Sequence, residues 1–381
     1  MHEGLALDDT PDVFRIARFL VSRAIKTHGT EIDLVGYYGS YAQGVARATS
    51  DLDIFYVPAD GKNPPVGRTL LVEGILFDFW AIDWCTLEGF ATGRSRGWAF
   101  APAIVHHAKL LHTRSAEQAA RFAALKQKVL ALQNLEARPQ MIQRALDEFQ
   151  VVLAQLGNLR LAVAAGDLVD VRYAGWKLIL AICECLALAN QVFFDRGWDR
   201  LLEQIPRLQS RPEYLTALIE VISTSEDLTS IANAAERLAL DTRQLLRTLQ
   251  QSLPSQQTPR DVFESSYPET KDGIRKVLTA CERRQPIAAS VAAWAVQSEL
   301  SLMLNALQNS ADHTNFNLYN EFAFLYRQLG FPDLMHIPVG DLSTLAEQAR
   351  TLDMQLRQWL QGQAVDLCEF ETLADLARLL K

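Results

Sequence analysis

The chain of 381 residues carries 37 Lys and Arg against 45 Asp and Glu, a formal net charge of −8. It is longer than one typical domain and can bury sizeable cores. The acidic balance, with no basic run, argues against a protein that grips a nucleic-acid backbone. Five cysteines, an odd number without Cys-x-x-Cys spacing, fit reduced thiols in a cytoplasm better than disulfides or zinc. No basic-then-apolar leader opens the sequence. The most apolar stretch, 178–194, is interrupted by Glu184 and Asn190 and reads as a buried helix, not a membrane span. The expectation is a soluble cytoplasmic protein.

Thr10-Pro11 has the form of an N-cap followed by proline in the first turn, which predicts a helix to about Lys26. Its apolar stripe is Phe14, Ala17, Leu20, Val21 and Ala24. Strands follow near 32–38, 51–57, 69–73 and 75–82, with a last short one at 109–113. The segment 58–65 is too rich in Pro, Asp, Gly and Asn to be anything but a loop. Between the first two strands lies the run Gly39-Ser40-Tyr41-Ala42-Gln43-Gly44, followed by Ser50-Asp51-Leu52-Asp53. Alternate residues of a strand share a face, so Asp51 and Asp53 point the same way. Two carboxylates side by side repel unless a cation stands between them, and a hard ion such as Mg²⁺ with phosphate oxygens suits that set. Ser40 would open a short helix whose free backbone N–H groups hold phosphate. A phosphate cradle and a metal-ligand pair within one segment is the chemistry of nucleotidyl transfer.

The pattern of Gly-Ser, ten residues and Asp-x-Asp resembles the signature of the nucleotidyltransferase superfamily related to DNA polymerase beta. Within it the segment is most similar to the small bacterial branch of aminoglycoside and minimal nucleotidyltransferases. That resemblance implies that Gly39 and Ser40 hold the triphosphate of an NTP, with ATP as the expected donor. It implies that Asp51 and Asp53 bind divalent metal, two Mg²⁺ ions in all, and that a third carboxylate on a neighbouring strand completes the site. Asp78 is the expected third group, in the strand Leu76-Phe77-Asp78-Phe79-Trp80, where a carboxylate is costly to bury unless paired or metal-bound. Glu73 and Asp83 compete, each at a turn or strand end. The bland alternative for Asp78 is a satisfied structural residue on an edge strand. Arg94 and Arg96, in the loop 93–97, either touch phosphate or decorate a solvated loop. His106, His107 and His112 read as surface or packing residues, because adjacent histidines on extended backbone face opposite ways.

From Ala116 onward the pattern is helical, near 116–133, 139–165, 168–194, 212–223 and 227–251. The apolar helix from Ala174 and the following Trp198-Asp199-Arg200-Leu201-Leu202 resemble the helical domain of the aminoglycoside branch. The stretch 252–268 reads as a linker or long loop, with more helices beyond 270 and loops at 309–317 and 330–338. The expected fold class is α+β: a catalytic domain over 1–115 with a mixed sheet and flanking helices, a helical domain over 116–253, and a further helical region over 270–381. The expected reaction joins a nucleoside monophosphate to a hydroxyl of a small acceptor and releases pyrophosphate. Alternatives are AMP transfer to a protein, as in toxin–antitoxin pairs, and a nucleotide-binding module without turnover. The general base is Asp78 or a glutamate of the helical domain, such as Glu148 or Glu184. Nucleic acid and membrane are not expected partners.

Overall fold

The computed structural model describes residues 13–94, 97–253, 255, 257–309, 317–370 and 372. The Thr10-Pro11 cap and Arg96 lie outside them. The chain is α+β and divides into two compact units, Met1–Leu246 and Arg247–Lys381.

In the first unit the elements run α1 (Val13–His28), β1 (Ile32–Tyr38), α2 (Ser40–Gln43), β2 (Leu52–Pro58), β3 (Arg68–Val72), β4 (Ile75–Ala81), α3 (Trp84–Thr92), α4 (Ala101–His107) and β5 (Lys109–Thr113). They continue as α5 (Ala116–Ala131), α6 (Arg138–Ala165), α7 (Leu168–Ala189), α8 (Leu201–Gln204), α9 (Leu215–Thr224) and α10 (Leu228–Gln251), whose end crosses into the second unit. The strands form one sheet in the order β3-β4-β2-β1-β5, with β2 and β4 parallel and every other pairing antiparallel. Both faces of the sheet are covered, so β2 reads as a near-continuous apolar run instead of an alternating one. Ile54, Tyr56, Phe77 and Phe79 pack under Val13, Ala17 and Val21 of α1. Leu34, Phe55 and Val57 pack on the opposite face against Leu87, Val105, Phe122 and Leu125. The β3–β4 hairpin closes through Glu73 and Gly74, both with positive φ (54° and 79°), the backbone demanded by a two-residue turn that matches strand twist.

Several expected boundaries move. The apolar run at 178–194 does not stay helical to its end, because α7 stops at Ala189. The Asn190 side-chain amide there donates to Leu186 O and to Ser210 O, both at 2.7 Å. Gln191 takes a left-handed backbone (φ 54°), and its side-chain amide donates to Leu132 O at 2.9 Å and Asn134 O at 2.6 Å. Helices α3 and α4 stand where no helix was expected. Asp83 opens α3 by accepting the Thr86 N–H at 2.6 Å, and Pro102 sits in the first turn of α4. His106 and His107 are therefore on a helix, not an extended segment; their rings meet edge-on at 4.7 Å, and both also pack on Phe193.

The second unit contains α11 (Pro259–Phe263), α12 (Tyr267–Glu282), α13 (Pro286–Ala306), α14 (Tyr319–Phe322), α15 (Phe324–Gln328) and α16 (Leu342–Gly362). The stretch 252–268 is thus partly helical, since Thr258 and Asp261 cap α11 reciprocally. Ile274, Val277, Leu300, Leu304, Leu352 and Leu356 form the core between α12, α13 and α16. Among the described residues α13 alone is long and apolar enough to cross a membrane, and less than half of its apolar window is buried within the structure.

Candidate active site

One transverse row of the sheet collects the polar groups. Tyr38 on β1 is the register partner of Asp53 on β2, Asp53 of Asp78 on β4, and Asp78 of Thr69 on β3. All four lie on the same face, because their chain neighbours Tyr37, Leu52, Ile54, Phe77, Phe79 and Leu70 pack on the α1 side. Asp51 is exposed and stands one residue before β2 rather than within it.

Asp53 is mostly enclosed, and its carboxyl is pushed up to about 7, first by burial and then by the charges of Asp51 and Asp78. The Tyr38 hydroxyl is driven well above the usual phenol range, first by burial and then by Asp53, Asp78 and Asp51 among others. Asp78 is half-buried, and its Oδ1 accepts the Thr69 hydroxyl at 2.8 Å. No cation among the described residues forms an ion pair with any of the three carboxylates.

Gly39 connects this row to the 39–44 segment. Its backbone (φ 76°, ψ −154°) is available to glycine alone, and a Cβ there would lie 2.9 Å from Asp53 Oδ2. The main chain therefore runs directly against the carboxylate. Gly39, not Ser40, is the cap of α2, and Ser40 is the first helical residue, with no side-chain cap bond. At the far end of this short helix the Gln43 amide donates to Asp195 O at 2.7 Å. This bond joins the segment to the chain that follows α7.

The competing acidic residues have other tasks. Glu73 sits in the hairpin turn with Arg15 Nη2 at 3.4 Å, and Asp83 caps α3. Glu184, on α7, is buried and its Oε2 accepts the Ala99 N–H at 2.8 Å. Burial first, opposed by that hydrogen bond, and then Glu148, leave its carboxyl raised to about 7. Glu148 and Glu184 line a cavity of about 430 Å³ together with Arg94, Trp98, Arg144 and Asp147. Asp51, Asp53 and Asp78 are not among its lining residues. Sequence reasoning missed Tyr38 and Thr69, which only strand register brings beside the carboxylates.

The row suits a divalent cation in one respect and not in another. Its donors are hard oxygens with uncompensated negative charge, the set that Mg²⁺ takes. Yet no three His, Cys, Asp or Glu side chains among the described residues form a ready cluster for a metal ion. A cation here would need further oxygens from a bound phosphate, which is how Mg²⁺ is ordinarily held.

Residues 119–252 match the family model described as KNTase C-terminal domain. That span covers most of α5 and all of α6 to α10. A nucleotidyltransferase-like protein from Exiguobacterium sibiricum 255-15 is similar in structure at 11% identity and a TM-score of 0.36, over 60% of this chain and 75% of that one. No match is found among curated proteins.

Proposed function

We propose that the protein transfers a nucleoside monophosphate from an NTP, with ATP as the expected donor, to a hydroxyl of a small molecule. The observation that carries this reading is the Asp53–Asp78 register pair with the Gly39 backbone against Asp53. The family match over 119–252 supports a transferase of this general kind. The acceptor oxygen forms a bond to the α-phosphorus, the bond to the β-phosphate oxygen breaks, and pyrophosphate leaves. Gly39 and Ser40 bind the triphosphate, because a side-chain-free backbone lets phosphate approach its N–H groups. Asp51 and Asp53, with Asp78 beside them, would hold Mg²⁺, which when bound supplies neutralisation of the triphosphate and the leaving group. Asp78 takes the acceptor proton, since it shares the row with Asp53, whereas the Glu184 carboxylate is already engaged by Ala99 N–H. The cavity lined by Arg94, Arg144, Asp147, Glu148 and Glu184 offers donors and acceptors of both charge signs, which suits a hydroxylated acceptor.

The test is an assay of the purified protein with each α-labelled NTP and Mg²⁺, against aminoglycosides and against cell lysate. Label in a small molecule that disappears with Asp53→Asn supports the proposal. Label in a protein band would assign AMP transfer to a polypeptide instead. Nucleotide binding without transfer to either acceptor would leave a non-catalytic module.

A further inference from the structure

Asp78 has a carboxylate that its own strand does little to orient. Its chain neighbours Phe77 and Phe79 point to the opposite face, and Leu76 and Trp80, which share its own, are largely apolar. The only hydrogen bond to it among the described residues comes from Thr69, directly opposite on the antiparallel strand β3, whose hydroxyl donates to Oδ1 at 2.8 Å. Directly opposed residues on such a pair have Cβ atoms about 4.5–5.5 Å apart, so the contact is set by the ladder and not by a long mobile side chain. Threonine is branched at Cβ and stiff at χ1, which holds its hydroxyl in place with little entropy to lose. β3 is the edge of the sheet, so among the described residues no further strand stands beyond it to supply another donor.

We infer that Thr69 is a positioning residue that orients the Asp78 carboxylate for a divalent cation shared with Asp53. This rests on the metal-binding reading proposed above. The hydrogen bond fixes the plane of the carboxyl group through Oδ1 and leaves Oδ2 as the oxygen available to a cation. Without it the group swings about its Cβ–Cγ bond and meets the ion in its productive orientation only part of the time.

The experiment measures Mn²⁺ binding to the full chain by electron paramagnetic resonance, with a non-hydrolysable NTP present at fixed concentration and the Mn²⁺–NTP complex without protein as reference, for wild type, Thr69→Val, Thr69→Ser, Asp78→Asn and the Thr69→Val/Asp78→Asn double variant. Valine suits an exposed edge strand, so Thr69→Val should fold, and urea unfolding of each variant checks this. We expect Thr69→Val to weaken Mn²⁺ binding about tenfold, the scale of a lost hydrogen bond to a charged group. Thr69→Ser should stay within about twofold of wild type. In the Asp78→Asn background the valine substitution should change nothing, because its effect travels through Asp78. Wild-type affinity in Thr69→Val, or an equal loss in the Asp78→Asn background, overturns the role of Thr69 alone. Failure of the wild-type protein to bind Mn²⁺ with the NTP analogue present overturns the metal reading and this inference with it.

Discussion

Asp53 and Asp78 face each other across two parallel strands, on one polar row of a largely apolar sheet. Neighbouring strands lie about 4.8 Å apart, so two ionised carboxylates at one register position repel strongly once water is excluded. A fold that retains such a pair has either a proton or a cation between them. The raised Asp53 carboxyl is the proton's share of that choice, and a divalent ion with its nucleotide phosphates would be the alternative.

Replacing either member of the Asp51 and Asp53 pair should abolish transfer while leaving the fold intact. Asn keeps the shape and removes the charge. Loss of a charge that stabilises a phosphoryl transition state costs about 10²–10³ in turnover. Single-turnover rates of Asp51→Asn and Asp53→Asn, with circular dichroism as the control for folding, check this. Full activity in either variant, with unchanged metal dependence, would remove that residue from the site.

Asp53 also makes stability depend on pH. Its carboxyl lies near 7 in the folded chain and in the ordinary range, 3.8, when unfolded. The folded state therefore binds the proton more tightly. The stability this confers is complete below about pH 4 and is lost as pH rises towards 7. Asp53→Asn cannot ionise, so its melting temperature should exceed that of wild type at pH 8 and converge on it near pH 4. Mg²⁺ with a non-hydrolysable NTP should raise the wild-type melting temperature at pH 8, and do so far less for the variant. Thermal scans at the two pH values decide the matter, and a wild-type advantage at pH 8 without ligand would contradict it.

The elements that carry the row were legible because their signals are local. Strands β1, β2 and β4 are dense in β-branched and aromatic residues, and a Gly-Ser turn followed by alternating carboxylates marks the space between the first two. Asp78 stood out as one acid in an apolar strand. Tyr38 and Thr69 did not, since their place beside the carboxylates depends on which strands pair and in what register, a property of contacts far apart in sequence. Helices α3 and α4 are short, and much of each is apolar, so they show little of the helical periodicity that longer amphipathic segments display; the histidine pair was placed on extended backbone as a result, while its reading as packing residues agrees with the Phe193 contacts. The end of α7 was missed for a different reason. Apolar residues continue to Phe194, and what stops the helix is the capture of Asn190 and Gln191 by Ser210, Leu132 and Asn134. The Thr258-Pro259-Arg260-Asp261 box is a local capping signal, but it sits among so many loop formers that the whole stretch reads as a linker, and α11 was missed with it.

Gly39 should tolerate no side chain. Alanine there meets Asp53 Oδ2 at 2.9 Å and must also hold a backbone that only glycine adopts without strain, a cost of about 1–3 kcal/mol. Gly39→Ala should therefore lower stability and weaken NTP binding together. Ser40→Ala loses only a hydroxyl and should weaken NTP binding by about 1–2 kcal/mol, with the melting temperature nearly unchanged. Titration calorimetry with a non-hydrolysable NTP separates the two, and equal affinity in all three proteins would take the phosphate cradle out of the mechanism.

The identity of the general base can be decided between Asp78 and Glu184 by opposite signatures. Asp78→Asn should cut single-turnover transfer by about 10²–10⁴, the range for a lost acid–base group, and weaken nucleotide binding less. Glu184→Gln keeps a carbonyl oxygen that can accept the Ala99 N–H, so the segment it holds should stay in place. The Glu184 carboxyl lies near 7 when folded and at 4.5 when unfolded, so its stabilising proton is fully present below about pH 4.5 and lost as pH rises towards 7. The glutamine variant should consequently turn over like wild type and melt higher than wild type at pH 8, with the gain vanishing near pH 4.5. Transfer lost in Glu184→Gln, with the melting temperature unchanged at pH 8, would move the proton-accepting role from the sheet to the helical part of the chain.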